Sequence, residues 1–339
     1  MRREPTHRAT VQDVAREAGV SASTVSRALN GTGYAGAEVR ERVRAAVERI
    51  GYVPDANARS LRHRTSRAIG VLVSDLRNPF YANLAAGMEE QLRAAGMHMV
   101  LTNDNADAAE ELEAARTLVA MRVPGALITP VSPKAVALLR QHGVSVVQVD
   151  RRMGPGGDAV LSANETAAAE LTDYLIGLGH RHIALLIDET RWSTGAGRLT
   201  GYRQAHTDRG LTVDDALVAY TSFEADTARR ATGTLLDEHP EVTAVFAANN
   251  VLAQGAFEEI SRRGIRMPDE LSLAAYDDVP WMSMVQPGIT TVSQHTQEMG
   301  RRAAQLLLDR LAETATGRAR VVRVATSLRV RGSTGAVPR

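Results

Sequence analysis

The chain of 339 residues contains no cysteine. That excludes a disulfide framework, a thiolate nucleophile and any cysteine-built metal site. Aromatic residues are scarce, at 4%, so the few that fall beside polar groups stand out. Lysine is nearly missing: of 40 basic residues only Lys134 is not arginine. Because it follows Pro133, the sequence has no GxxxxGK[ST] phosphate loop. No run approaches the roughly 18 apolar residues of a membrane span. The opening Met-Arg-Arg-Glu-Pro-Thr-His also lacks the apolar segment of a signal peptide. A soluble, cytoplasmic protein is expected.

What is present is a mixed globular composition, 44% hydrophobic and 23% charged. A chain of this length buries a large core in two or three domains. The net charge of +1 conceals an asymmetry: residues 1–67 carry 13 arginines against 7 acids, and the remainder 27 basic against 32 acidic residues. A basic head on a slightly acidic body points to a polyanionic partner at the head.

The stretch from Thr10 to Gly31 organises the rest. Thr10 can cap a helix along which Val11, Val14, Ala15 and Ala18 recur as one apolar stripe. Gly19 supplies the left-handed residue that ends it. Ser21 caps a second helix, whose Val25 and Leu29 are expected to face the first. Two helices joined by a short glycine-containing turn form a helix-turn-helix. The exposed start of the second carries Ala22, Ser23, Thr24, Ser26 and Arg27 and no acid, the chemistry of a helix entering the major groove. A third helix over 37–50, buried through Val39, Val43, Val47 and Ile50, completes a head spanning 1–53. Residues 54–67 form a basic connector with a short helix capped by Asp55, too short to be stable alone.

From residue 68 apolar runs alternate with helical segments. Strands are expected at 68–74, 97–102, 125–129 and 144–149, and again at 182–187, 217–221, 243–247 and 271–275, with helices between. Such βαβ units make parallel sheets, and two cycles imply two lobes. The lobes are expected at about 68–164 with 295–320, and about 165–294 with 321–334, the last including a late strand over 321–330. In open α/β sheets ligands bind beyond the carboxyl ends of strands. Those ends carry Asp75, Asn78 and Phe80; Asp150 and Arg151; residues 192–198; Phe223; Asn249 and Asn250; Asp277, Asp278 and Trp281. Carboxylates, amides, arginine and aromatic rings suit a hydroxyl-rich small molecule.

The motifs TVQDVAREAGVSASTVSR (10–27) and GYVPDANARSLR (51–62) resemble the head and hinge of the lactose-repressor (LacI/GalR) family of bacterial transcription regulators. The likeness continues through Asn78-Pro-Phe, Gly179-His-Arg-His-Ile, Gly197-Arg-Leu-Thr-Gly-Tyr, Asn249-Asn, Tyr276-Asp-Asp and Thr290-Thr-Val. The resemblance implies an α/β fold with an all-α helix-turn-helix head and a two-lobed core like periplasmic sugar-binding proteins. It also implies a homodimer or tetramer on a near-palindromic double-stranded operator, controlled by a small effector, a carbohydrate first among the candidates, in the interlobe cleft. Ala22, Ser23 and Arg27 match base-reading positions, Thr24 and Ser26 phosphate-holding ones. Asn57, Arg59 and Leu61 fall in the hinge, Leu61 matching a minor-groove wedge. Asp75, Phe80, Asp150, Trp192, Arg198, Phe223, Asn249, Asp277 and Trp281 are the expected effector residues. The Arg198 guanidinium offers a fork of donors for hydroxyls or a carboxylate. The departures are local: Ala163 stands where the family commonly has Asp, Ala275 where a Gly is common, and Gly36 where a capping hydroxyl is common, while the small Ala22 and Ser23 leave more of the base readout to Arg27.

Rival readings find less support. Gly195-Ala-Gly-Arg-Leu-Thr-Gly201 has the wrong spacing for a dinucleotide fingerprint. His180 and His182 lack a carboxylate pair that would make a metal site, and no Ser-His-Asp set is evident. No catalysis, metal or cofactor is expected. A secreted sugar receptor would not need a basic head.

Overall fold

The computed structural model describes residues 9–30, 35–52, 66–154, 156–188, 190–312 and 317–337. The chain divides into a head, Met1–Ser66, and a core unit, Arg67–Arg339. The expected hinge helix, with Asn57, Arg59 and Leu61, lies outside the described residues.

The head holds α1 (Val11–Ala18), α2 (Ala22–Asn30) and α3 (Ala37–Ile50). Thr10 closes a capping box with Asp13, each side chain taking the other's backbone N–H, so two otherwise orphaned donors are satisfied. Gly19 ends α1 at φ 63°. The Ser21 hydroxyl accepts from the Thr24 N–H at 3.2 Å, starting α2 where the sequence places it. Val14, Ala15, Ala18, Val25, Val43 and Ala46 form the core of the head, and the 2.5 Å Arg49–Glu17 pair links α3 to α1. Leu29 departs from expectation: it is 37% exposed. Val25 joins the core of the head and Leu29 does not.

In the core unit the first lobe contains β1 (Ala68–Val73), α4 (Pro79–Ala94), β2 (His98–Asn103), α5 (Ala108–Ala120), β3 (Gly125–Ile128), α6 (Pro133–Gln141), β4 (Ser145–Val149) and β5 (Asp158–Ser162). The second contains α7 (Asn164–Gly177), β6 (Ile183–Ile187), α8 (Ser193–Asp208), β7 (Val218–Tyr220), α9 (Ala225–Glu238), β8 (Ala244–Ala247), α10 (Asn250–Arg262), β9 (Ser272–Tyr276), the short α11 (Trp281–Met284) and β10 (Thr290–Ser293). The chain then returns through α12 (Thr296–Leu311) to β11 (Val321–Val324) and ends with β12 (Ser327–Arg329). The sheets run β11-β5-β4-β3-β1-β2 and β12-β10-β9-β8-β6-β7, and only the β10–β12 pair is antiparallel.

Two corrections follow. Each cycle has a fifth strand, β5 and β10, where none was expected, because Asp158–Ser162 and Thr290–Ser293 hold too few apolar residues to read as buried runs. The single strand expected over 321–330 is two: β11 pairs with β5 in the first lobe and β12 with β10 in the second. Residues 321–324 therefore belong to the first lobe. Three crossings, near 163, 294 and 325, join the lobes.

Close helix contact sets the position of the cleft wall. A Cβ on Gly87 of α4 would lie 2.0 Å from the Gln297 carbonyl oxygen of α12, and one on Gly300 2.2 Å from that of Leu84. Only glycine permits this approach, which lets the middle of α4 lie directly against the first turns of α12.

Candidate functional site

A cavity of about 320 Å³ lies between the lobes at the carboxyl ends of both sheets. Its walls include Asp75, Phe80, Asp150, Trp192, Arg198, Phe223, Asn249 and Asp277. Trp281, expected beside them, is absent from the lining: it opens α11 and stacks on Phe257 at 5.6 Å within the second lobe. Asp278 also turns away, to Arg329, Arg331 and Thr291. A residue next to a strand end reaches the cleft or the sheet flank according to backbone direction, and Asp277 takes the inward place.

Two residues at matching places in the lobes adopt a left-handed backbone, Asp150 after β4 at φ 65° and Asp277 after β9 at φ 72°. Such a conformation is uncommon outside glycine, though aspartate tolerates it better than most. It is one local device that turns each chain sharply at the cavity. Burial pushes the Asp150 carboxyl up to about 6; Arg151 and Arg198 oppose this, while Asp277 and Asp188 add to it.

Arg198, one turn into α8, is buried. Its Nε donates to Asn164 Oδ1 at 2.9 Å and its Nη1 to the Ala248 carbonyl at 2.6 Å, and the guanidinium covers Tyr276 at 3.9 Å. Asn249 caps α10, its Oδ1 accepting from the N–H groups of Val251 and Leu252. Asp277 accepts from the Asn250 N–H at 3.2 Å and from Gln294 Nε2. Asp75 is held at the mouth by Arg77, and Phe80 packs edge-on against Tyr81 with centroids 5.0 Å apart.

Arg151 is the main addition. It is 2% exposed, donates to Ser74 Oγ at 2.5 Å and Tyr81 Oη at 2.8 Å, and lies 4.1 Å over the Trp192 indole of the opposite lobe. Burial raises the Tyr81 hydroxyl to about 12, with Arg151 opposing. Asn78 Oδ1 accepts from Asn250 Nδ2 at 2.9 Å, a second bridge between lobes. Arg151 and Asn78 are among the strand-end residues read from the sequence, though not among the expected effector residues. Gln294 could not be found, because it follows the unrecognised β10. Several buried polar atoms of the lining have no protein partner: Asp150 Oδ1, Arg151 Nη1, Trp192 Nε1, Asn249 Nδ2 and Gln294 Oε1. Unpaired buried groups are costly unless a ligand or water satisfies them.

His180 is not a ligand-type histidine. Its nitrogens meet Thr243 Oγ1 at 2.9 Å and the Gly335 carbonyl at 3.1 Å, tying down the C-terminal segment. In the head, Ser23 and Arg27 are exposed, Thr24 and Ser26 half-exposed, and Ala22 packs partly on the head's core. Arg27 lies along its helix, Nε to the Ser23 carbonyl at 3.3 Å and Nη2 to Thr24 Oγ1 at 3.4 Å.

Residues 10–55 match the family model of bacterial regulatory proteins, lacI family, and residues 172–334 that of a periplasmic binding protein-like domain. The chain is 31% identical to the HTH-type transcriptional repressor PurR of Vibrio atlanticus, over 90% of this chain and 92% of that protein. It is equally identical to the ribose operon repressor of Halalkalibacterium halodurans, over 89% and 90%. Among solved structures it resembles the transcriptional regulator CelR–cellobiose complex (TM-score 0.75, 31% identity, 96% and 100% covered). It also resembles the lac repressor dimer bound to operator and the anti-inducer ONPF (TM-score 0.86, 26%, 97% and 100%). A LacI family regulator from Enterococcus faecium with bound ribose is similar as well (TM-score 0.71, 28%, 80% and 99%). With a helix-turn-helix head, two lobes around a polar cavity and relatives of this kind along nearly its whole length, the chain belongs to the lacI family of bacterial transcriptional regulators.

Proposed function

We propose that this protein is a repressor that binds a near-palindromic operator as a homodimer, in the cytoplasm where the chromosome lies, and is controlled by a sugar held between its lobes. The observation that carries the sugar reading is the mixture of unpaired groups in the cavity: donors from Arg151, Trp192 and Asn249, and acceptors from Asp150 and Gln294. Adjacent hydroxyls both donate and accept, so a polyol satisfies such a set, whereas an apolar ligand would leave it buried and unpaired. Phe80, Phe223 and Trp192 provide faces for the apolar side of a sugar ring. The cellobiose and ribose bound to structural neighbours are consistent with it.

In this reading Ser23 and Arg27 contact base edges, Thr24 and Ser26 hold phosphates, and Ala22 gives only a small apolar contact. Asn57, Arg59 and Leu61 act at the centre of the operator. Effector occupancy biases the angle between lobes, and can do so only by its differential affinity for the two arrangements. Selection of genomic fragments by the purified protein, with and without a pool of sugars, tests the reading. One enriched palindrome that a sugar strengthens or weakens supports it; enrichment untouched by any sugar refutes the effector assignment.

A further inference from the structure

Among the described residues three arginines line the cavity, and the two deep ones have most of their N–H groups engaged by the protein's own acceptors rather than open to grip a phosphate or carboxylate. Arg77, 88% exposed, stands at the mouth and pairs with Asp75, Nε to Oδ1 at 3.0 Å and Nη2 to Oδ2 at 3.3 Å. Arg151 commits Nη2 to Ser74 and Tyr81, keeps Nε 3.6 Å from Asp150 Oδ2, and covers its face with Trp192. Arg198 commits Nε to Asn164 and Nη1 to Ala248, and covers its face with Tyr276. Each deep arginine is left with one amino group, Nη1 of Arg151 and Nη2 of Arg198. One amino group without a free neighbouring nitrogen suits a hydroxyl or ring oxygen better than a bidentate anion.

The remaining charge opposes an anion. Among the described residues Asp75, Asp150, Asp188, Glu224 and Asp277 also line the cavity, five carboxylates against three arginines. In a poorly solvated cleft a further negative group is repelled more strongly than in water.

We propose that this site selects an uncharged, polyhydroxylated effector and excludes the phosphate ester of the same sugar. The proposal rests on the sugar reading and narrows it: the regulator senses a free sugar, before any phosphorylating reaction consumes it.

The test uses the full chain and two measurements. In the first, calorimetry compares D-ribose with D-ribose 5-phosphate, D-glucose with D-glucose 6-phosphate, and cellobiose with hypoxanthine. Of a sugar and its phosphate ester, the neutral member is expected to bind about a hundredfold more tightly, since like charges repel in the cleft. A phosphate ester that binds as tightly as its parent overturns the proposal and leaves the sugar reading standing. Hypoxanthine binding without any sugar overturns the sugar reading itself. The second measurement needs no matched sugar: inorganic phosphate is titrated at constant ionic strength while tryptophan fluorescence is read, Trp192 lying in the wall. No saturable change is expected. A saturable change that Arg198→Lys abolishes would show an anion site and overturn the proposal.

Discussion

The Arg151 guanidinium, just beyond the end of β4, lies 4.1 Å over the indole of Trp192 at the start of α8. One residue belongs to each lobe, so the stack exists only while the lobes are together. A desolvated contact of this type is worth about 2 kcal/mol. Trp192→Ala is expected to weaken effector binding up to roughly thirtyfold by shifting the lobes toward separation, with operator binding retained. Calorimetry and a gel-shift series read the two effects; unchanged effector affinity would deny the stack a role in closure.

Arg27 is a long exposed donor in the last turn of α2. Arg27→Ala is expected to cost about 1–3 kcal/mol of discrimination at one base position of each half-site. Sequencing an operator library bound by wild type and variant gives the answer directly. An identical base preference in the two would remove Arg27 from the readout.

Arg198 has two duties, since it also holds Asn164 and the Ala248 carbonyl. Arg198→Ala is expected to abolish the effector response and to lower stability by about 2–4 kcal/mol, because buried acceptors lose their donor. Below its lowered melting transition the variant should still bind operator. A normal response to effector would exclude Arg198 from the site.

The cavity carboxylate gives effector binding a pH dependence. Asp150 in the free protein is pushed up to about 6, chiefly by burial. A hydroxyl donating to Oδ1 favours the ionised form, so binding releases a proton where Asp150 is still protonated. Affinity should rise as pH rises through about 6 and level off above it. Asp150→Asn should flatten the profile, and a variant that keeps the same profile would assign it elsewhere.

Asp104, beneath the cavity rim, is pushed up to about 7, first by burial, with the Ala106 N–H opposing and Glu111 adding. The folded state then holds this proton more tightly than the unfolded one. Its contribution to stability is lost as pH rises from 3.8 to about 7. Melting temperature against pH should fall less steeply across that window in Asp104→Asn than in wild type. Parallel curves would contradict the assignment.

Much of the cavity lining was legible because βαβ chains bring strand ends together at the cleft. Asp75, Asp150, Asn249 and Asp277 follow or flank apolar runs that could only be strands. Trp281 followed the same rule and failed it: the chain turns into α11 after Asp277, and the indole finds Phe257 instead of the cleft. Gln294 was invisible for the opposite reason, since Thr290–Ser293 carries one aliphatic residue and pairs with β9 and β12 only in the folded sheet.

The sequence by itself determined the helix-turn-helix, through Thr10, Gly19 and Ser21, and the two alternating cycles. These rest on local chemistry, capping and periodicity, which neighbouring residues decide. The tertiary structure alone decided the splitting of 321–330 between two sheets, the stacking of Arg151 on Trp192, and the commitment of each arginine fork. Those depend on residues far apart in the chain, 77 positions in the Arg151–Ser74 bond and more between β11 and β5. No local pattern encodes which nitrogen of a buried guanidinium is left free, and in this cavity that choice favours a hydroxyl over a phosphate.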